Sequence, residues 1–137
     1  MSGHVVFRYD AGQNTVFSED HAKLETDEQV DEFVGEYHTY CESLGKKCWL
    51  VTNIDDLFVA GQVADHYAEA SLRVMGKHLL GFARWATNSW ARLSVRTNAL
   101  NARVPATIFS SREVAVAAIE EMKRTGYQWR PGAPPSE

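Results

Sequence analysis

The chain has 137 residues, 45% of them hydrophobic, enough for one domain to bury its own core without disulfides or metals. Its formal net charge of −4 argues against a nucleic-acid-binding domain, since such domains are as a rule basic. No apolar run approaches the roughly 18 residues of a membrane span. "MSGHVVFRYD" has no basic region ahead of an apolar one, so a cytoplasmic location is expected.

"HVVFRYD" and "TVFSE" read as strands joined by the turn "AGQN", whose glycine supplies the awkward dihedrals, so residues 4–19 predict a hairpin. Thr26 and Gln29 match a capping box ahead of the acidic turn Asp27-Glu28. Val30, Phe33, Val34, Tyr37, Cys41 and Leu44 then recur at helical spacing until Gly45. Asp27, Glu28, Asp31, Glu32 and Glu36 read as that helix's solvated face. "CWLVTNI" predicts a buried central strand and "DDLFVAG" a loop. A helix from about Gln62 to Lys77 follows, with Val63, Tyr67, Ala70, Ser71 and Val74 inward and Gln62, Asp65, His66, Glu69 and Arg73 outward. "HLLGFARWA" predicts a strand, "SWARLSVRTNAL" a helix and "VPATIF" a strand whose proline suits an edge or a beginning. Ser110 and Glu113 predict a second capping box, opening a helix with Val114, Ala115, Ala118, Ile119 and Met122 inward and Gly126 as its stop. The order is β-β-α-β-α-β-α-β-α. It predicts an α/β domain over residues 1–126, with a mostly parallel sheet of about five strands begun by a hairpin and about four helices. Residues 127–137 are expected to be a disordered tail.

Charge divides along the chain. Residues 1–69 carry fourteen acids against Arg8, Lys23, Lys46 and Lys47, a balance of −10. Residues 70–112 carry seven basic residues and no acid. Such asymmetry suits an anion site or subunits meeting head to tail. Within the basic part, "RWATNSWARLSVRTN" holds three arginines and two tryptophans. On a helical wheel Trp90, Leu93, Thr97 and Leu100 share one side, and Arg92 and Arg96 point together the other way. Arg84 falls near the C-terminal end of a parallel strand, where open α/β sheets place ligand crevices. Trp85, next to it, should face the opposite side of the sheet.

There is no Gly-rich phosphate loop, HExxH, CxxC or Gly-x-Ser-x-Gly. His4, His21, His38, His66 and His78 are scattered without metal-ligand spacing, and a meeting of His21 with His38 is the one pairing considered. Cys41 and Cys48 are expected to be buried reduced thiols, with a bridge or a reactive thiol as alternatives. No catalytic residue, cofactor or metal is therefore expected.

"KKCWLVTNIDDL", a buried strand ending in a polar, acidic turn, and "VPATIFSSREVAVAAI", a strand ending in Phe109 before a Ser-rich cap and an alanine-rich helix, resemble the STAS superfamily. The likeness covers roughly residues 4–124. It is closest to the SpoIIAA-like (anti-sigma-factor-antagonist-like) branch, which is also compared with lipid-binding CRAL-TRIO (Sec14-type) domains. The resemblance implies a phosphorylated Ser or Thr after the central strand. That turn here, Asn53 to Phe58, offers no hydroxyl, and Thr52 lies in the strand itself. Asp55 or Asp56 could stand in as a fixed negative charge, or serve as loop or helix-start acids suited to a helix dipole. The role expected first is a non-enzymatic regulatory or scaffolding module that binds another protein, including itself as a homodimer. The alternative is a binder of a small apolar or anionic molecule, or a lipid, with Arg84, Trp85, Arg92 and Arg96 as candidate contacts. Neither reading involves nucleic acid or a membrane span.

Overall fold

The computed structural model describes residues 4–88 and 107–126. The elements are β1 (Val5–Asp10), β2 (Thr15–Leu24), α1 (Asp27–Leu44), β3 (Cys48–Val59), a 3₁₀ turn (Gly61–Val63), α2 (Ala64–His78), β4 (Leu79–Trp85), β5 (Ile108–Phe109) and α3 (Arg112–Thr125). The predicted helix over residues 89–100, with Trp90, Arg92 and Arg96, lies outside the described residues, as do the first half of "VPATIF" and residues 127–137. Among the described residues there are three α-helices, and none is long and apolar enough to cross a membrane.

The strands lie in chain order. β1 is antiparallel to β2, and β2, β3, β4 and β5 run parallel. α1 and α2 pack on one face of the sheet and α3 on the other. Strand alternation explains the two layers. Val16, Leu50 and Phe82 enter the core under α1 and α2, while Trp49, Val51 and Ala83 meet Ala115 and Ile119 of α3. Gly81 is required there, because a Cβ would stand 2.6 Å from Cζ3 of Trp49. Phe7 stacks on Tyr40 at 4.2 Å and meets the edge of Tyr37 at 5.1 Å, tying β1 to α1. Such ring pairs are each worth about 0.5–1.5 kcal/mol beyond their burial.

Local chemistry sets the element ends. Thr26 accepts from the Gln29 N–H and Gln29 reaches back to the Thr26 N–H, while Gly45 ends α1 at φ 70°. Several expectations need correction. In the β1–β2 turn the left-handed residue is Asn14 (φ 50°), not Gly12. Asn14 tolerates that conformation because its side chain is held locally, accepting from the Tyr9 hydroxyl and donating to the Lys47 carbonyl. The cap of α3 is Ser111, which accepts from the Val114 N–H, so the frame moves by one residue. Val114 faces solvent, 46% exposed, and Val116 packs beside Ala115 and Ile119, which set the inward face of α3. Glu36 leaves the solvated face of α1. Its carboxylate accepts from the His4 and Val5 N–H groups and lies 2.7 Å from His4 Nδ1, pinning the edge strand β1.

The largest correction concerns residues 55–59, expected as a loop. They continue β3. Past an irregularity between Glu19 and His21, Asp56 to Val59 pair with His21 to Leu24 of β2, and Leu57 and Val59 are buried while Asp56 and Phe58 face out. Two acids in a row suggest a turn, but the bulge puts Asp56 on the solvent side and lets the alternation resume.

Candidate functional site

β2, β3 and β4 bring three polar residues to the face beneath α1 and α2. Asp20 ends the regular part of β2, Thr52 lies in β3, and Arg84 is its direct neighbour in β4. Tyr37 reaches down from α1. Its hydroxyl donates to Asp20 Oδ1 at 2.5 Å, with Ser18 Oγ at 2.8 Å and Thr52 Oγ1 at 3.2 Å. Asp20, Tyr37, Thr52 and Arg84 line a partly enclosed cavity of about 90 Å³ between the helix pair and the sheet. The rest of its lining is mostly apolar, including Phe33, Leu50, Val74, Met75, Leu79 and Phe82.

The electrostatics follow from burial. Asp20 is 4% exposed, and loss of solvent pushes its carboxyl from 3.8 up to about 7. The hydrogen bond from Tyr37 and the charge of Arg84 oppose that rise without cancelling it. Burial also raises Tyr37, and the neighbouring Asp20 raises it further. Tyr67, from α2, is raised by burial against the pull of Arg84. Arg84 is lowered by desolvation, while Tyr67 and Asp20 favour its charged form. It remains a cation, with its guanidinium carbon 5.7 Å from the Phe82 ring centre. Asp20 is therefore a carboxyl that exchanges its proton near neutrality, beside a fixed cation, in the wall of a mostly apolar space.

Arg84 thus lies where strand order places it. Trp85 turns to the opposite face and packs against the cluster of Trp49, Val51, Ala115 and Ile119, so the two do not share a site. Arg92 and Arg96 lie outside the described residues. Asp55 and Asp56 are not in a loop, and neither stands at a helix start, since α2 begins at Ala64. Asp55 Oδ1 accepts from the N–H groups of Thr87 (2.8 Å) and Asn88 (2.9 Å), and Oδ2 from the Thr87 hydroxyl (2.9 Å). Burial would raise this carboxyl, but the hydrogen bonds from Asn88, Thr87 and Asn53 outweigh it and hold it low. Asp55 is a clamp on the chain leaving β4. Asp56 lies 2.9 Å from Nδ1 of His21 on the exposed face.

His21 does not meet His38. His38 meets His78 instead, with Nδ1 to Nε2 at 3.0 Å and Glu42 close by. Cys41 and Cys48 are buried and unbridged, and the contact with Cys41, reinforced by burial, holds the Cys48 thiol protonated. The basic residues of 70–112 that are described find company within the chain: Arg73 with Glu69 at 2.9 Å, Lys77 with Glu42 at 3.4 Å, and Arg112 over the Phe17 ring.

Asp20, Tyr37 and Thr52 were not among the residues expected from sequence. Asp20 carries a usable signal. In "TVFSEDHAKL" it falls on the same parity as Val16, Ala22 and Leu24, an acid at an inward strand position. Comparison with protein-family models, with curated proteins and with solved structures gave no match.

Proposed function

We propose that the chain is a non-enzymatic ligand-binding domain of the SpoIIAA-like kind, whose cavity takes a small molecule with an apolar body and a carboxylate or hydroxyl head. The observation that carries this reading is the convergence of buried Asp20, Tyr37 and Thr52 with Arg84 in the wall of an otherwise mostly apolar cavity. Pockets for small molecules have that composition, a mostly apolar wall with a few polar groups that fix orientation. A titrating carboxyl within it adds support. The hairpin followed by strands parallel in chain order supports the family assignment.

Size limits the ligand. One water needs roughly 10–15 Å³ on this measure, and an apolar cavity of about 150 Å³ takes benzene. At about 90 Å³ the space holds several waters' worth but less than a benzene ring. Short carboxylates and alcohols are the matched probes.

Regulation through protein contacts has weaker support. The large apolar side chains exposed among the described residues are Val6, Phe58 and Val114, and they stand apart. Val6 lies opposite Glu19, Phe58 opposite Lys23 four residues further along β2, and Val114 opens α3. Scattered single residues of this kind mark no interface.

The test is a titration of the isotope-labelled protein with acetate, propionate and propanol, followed by amide chemical shifts. Saturable shifts centred on Tyr37, Thr52, Tyr67 and Phe82, abolished by Val74→Trp and weakened for the carboxylates by Arg84→Gln, are expected. Absence of saturable shifts, or shifts that survive Val74→Trp, overturns the proposal. Native mass spectrometry of protein from its own host would identify any ligand retained on purification.

A further inference from the structure

A second cluster sits between the two helices, independent of the cavity reading. His38 lies in the fourth turn of α1 and His78 is the last residue of α2, and these helices pack together. Nδ1 of His38 is 3.0 Å from Nε2 of His78. Glu42 follows His38 by four residues and so shares its face of α1. One ligand atom from each of the three lies within 4.8 Å of the others. We propose that His38, His78 and Glu42 form a binding site for a divalent transition-metal ion of the zinc type, which joins α1 to α2.

The geometry is close to what such an ion needs. Two imidazole nitrogens bound to tetrahedral zinc at about 2.05 Å stand roughly 3.3 Å apart. The observed 3.0 Å therefore has to open by only a few tenths of an ångström. The carboxylate has further to travel, but the Glu42 side chain is 52% exposed and can rotate. Lys77, at 3.4 Å, is its present partner. That pair is exposed on both sides and contributes little, so a dication displaces the ammonium. Burial fixes His78 in place, at 6% exposure, while His38 and Glu42 complete the site from the more open helix. Two imidazoles and a carboxylate select zinc, copper or nickel over magnesium or calcium. Three protein ligands leave a fourth position on the Glu42 side for water or an added group.

Without an ion the two imidazoles share one hydrogen bond, which is the ordinary alternative. It leaves the convergence of Glu42 unused, and titration of the full, metal-free chain decides between the two. Zn²⁺ is added under reducing conditions and followed by calorimetry, and Co²⁺ is added separately for its visible spectrum. One saturable site is expected, with the tetrahedral cobalt bands of nitrogen and oxygen ligands. His38→Ala and Glu42→Gln should each weaken binding at least about tenfold, the loss seen even when groups behind the ligands are removed. His21→Asn, His66→Asn and His4→Asn, which remove the other histidine–carboxylate contacts among the described residues, should leave it unchanged. His78→Ala belongs to the set if circular dichroism shows it folded; otherwise the two α1 variants decide. No saturable binding overturns the proposal. So does binding that survives His38→Ala, follows His21, His66 or His4, or shows a thiolate-to-cobalt band assigning it to Cys41 and Cys48.

Discussion

Replacing Asp20 by Asn isolates the titration at the centre of the cavity. The carboxyl moves from 3.8 to about 7 on folding, chiefly because burial disfavours its charged form. A raised acid binds more protons in the folded state, so its contribution to stability is fully present below about pH 4. That contribution is lost as pH rises through 7. At 1.36 kcal/mol per pH unit the whole loss is roughly 4 kcal/mol, of which roughly 2–3 kcal/mol falls between about pH 5 and about pH 8. Asn has the same shape and cannot ionise. The attraction between Arg84 and the ionised carboxyl is already contained in the value of about 7. Urea unfolding of both proteins at the two pH values, followed by tryptophan fluorescence, separates the contributions. The stability of Asp20→Asn relative to wild type should improve by about 2–3 kcal/mol between the acid and the alkaline condition. A difference that stays flat across the range would mean that Arg84 and Tyr37 keep the carboxylate ionised throughout, and the reasoning would fail.

Tyr37→Phe removes the shortest hydrogen bond to Asp20 and with it one of the groups that lower its pKa. The Asp20 midpoint should move above 7, read by carboxyl carbon NMR, and an unchanged midpoint would discount the hydroxyl. Asp55→Asn weakens the clamp on Thr87 and Asn88 and should cost on the order of 2 kcal/mol near neutrality, because its bonds are to a charged acceptor. Asp55 is held below its ordinary 3.8, so its stabilisation is present above that value and disappears as pH falls through the lower, folded one. The melting-temperature gap between Asp55→Asn and wild type should therefore close in strong acid. Gly81→Ala drives a methyl against Trp49 and should cost about 1–3 kcal/mol in a thermal melt. A neutral result would mean the Trp49 ring has room to shift.

Periodicity made the helices legible. Val30, Phe33, Val34 and Cys41 are buried as their spacing requires, and Thr26 and Gly45 bound the helix by their own chemistry. β4 was equally plain, and alternation alone put Arg84 and Trp85 on opposite faces. Residues 55–59 failed for a physical reason. A bulge shifts the parity of one strand against its neighbour, and "IDDLF" read without that partner carries two acids where a turn would have them. The cavity cluster was half visible. Arg84 could be placed from one strand, but its partners arrive from β2, β3 and α1, and that meeting depends on a strand order that local sequence does not encode. The pairing of His38 with His78 was hidden for the same reason, since it depends on which turns of two separate helices lie side by side.

The arrangement beneath α1 and α2 is costly in two ways at once. A carboxyl and a guanidinium placed out of water lose hydration that their attraction only partly returns, and apolar residues of similar shape are often as stable or more so. The adjoining space costs more: at about 24 cal/mol per Å³, a cavity of 90 Å³ forfeits roughly 2 kcal/mol of packing. Either feature alone can be a tolerated flaw. Together, with Arg84 near the C-terminal end of β4 where ligand crevices form, they make a wall that stability alone would have closed. The Tyr37 hydroxyl, itself held by Ser18 and Thr52, fixes the carboxyl in one orientation, and orientation has value only if something approaches it. Of the described basic residues between 70 and 112, Arg73 and Lys77 pair with acids of the chain itself. What remains open to an incoming molecule is the apolar space itself, with a proton-exchanging acid and a fixed cation in its wall.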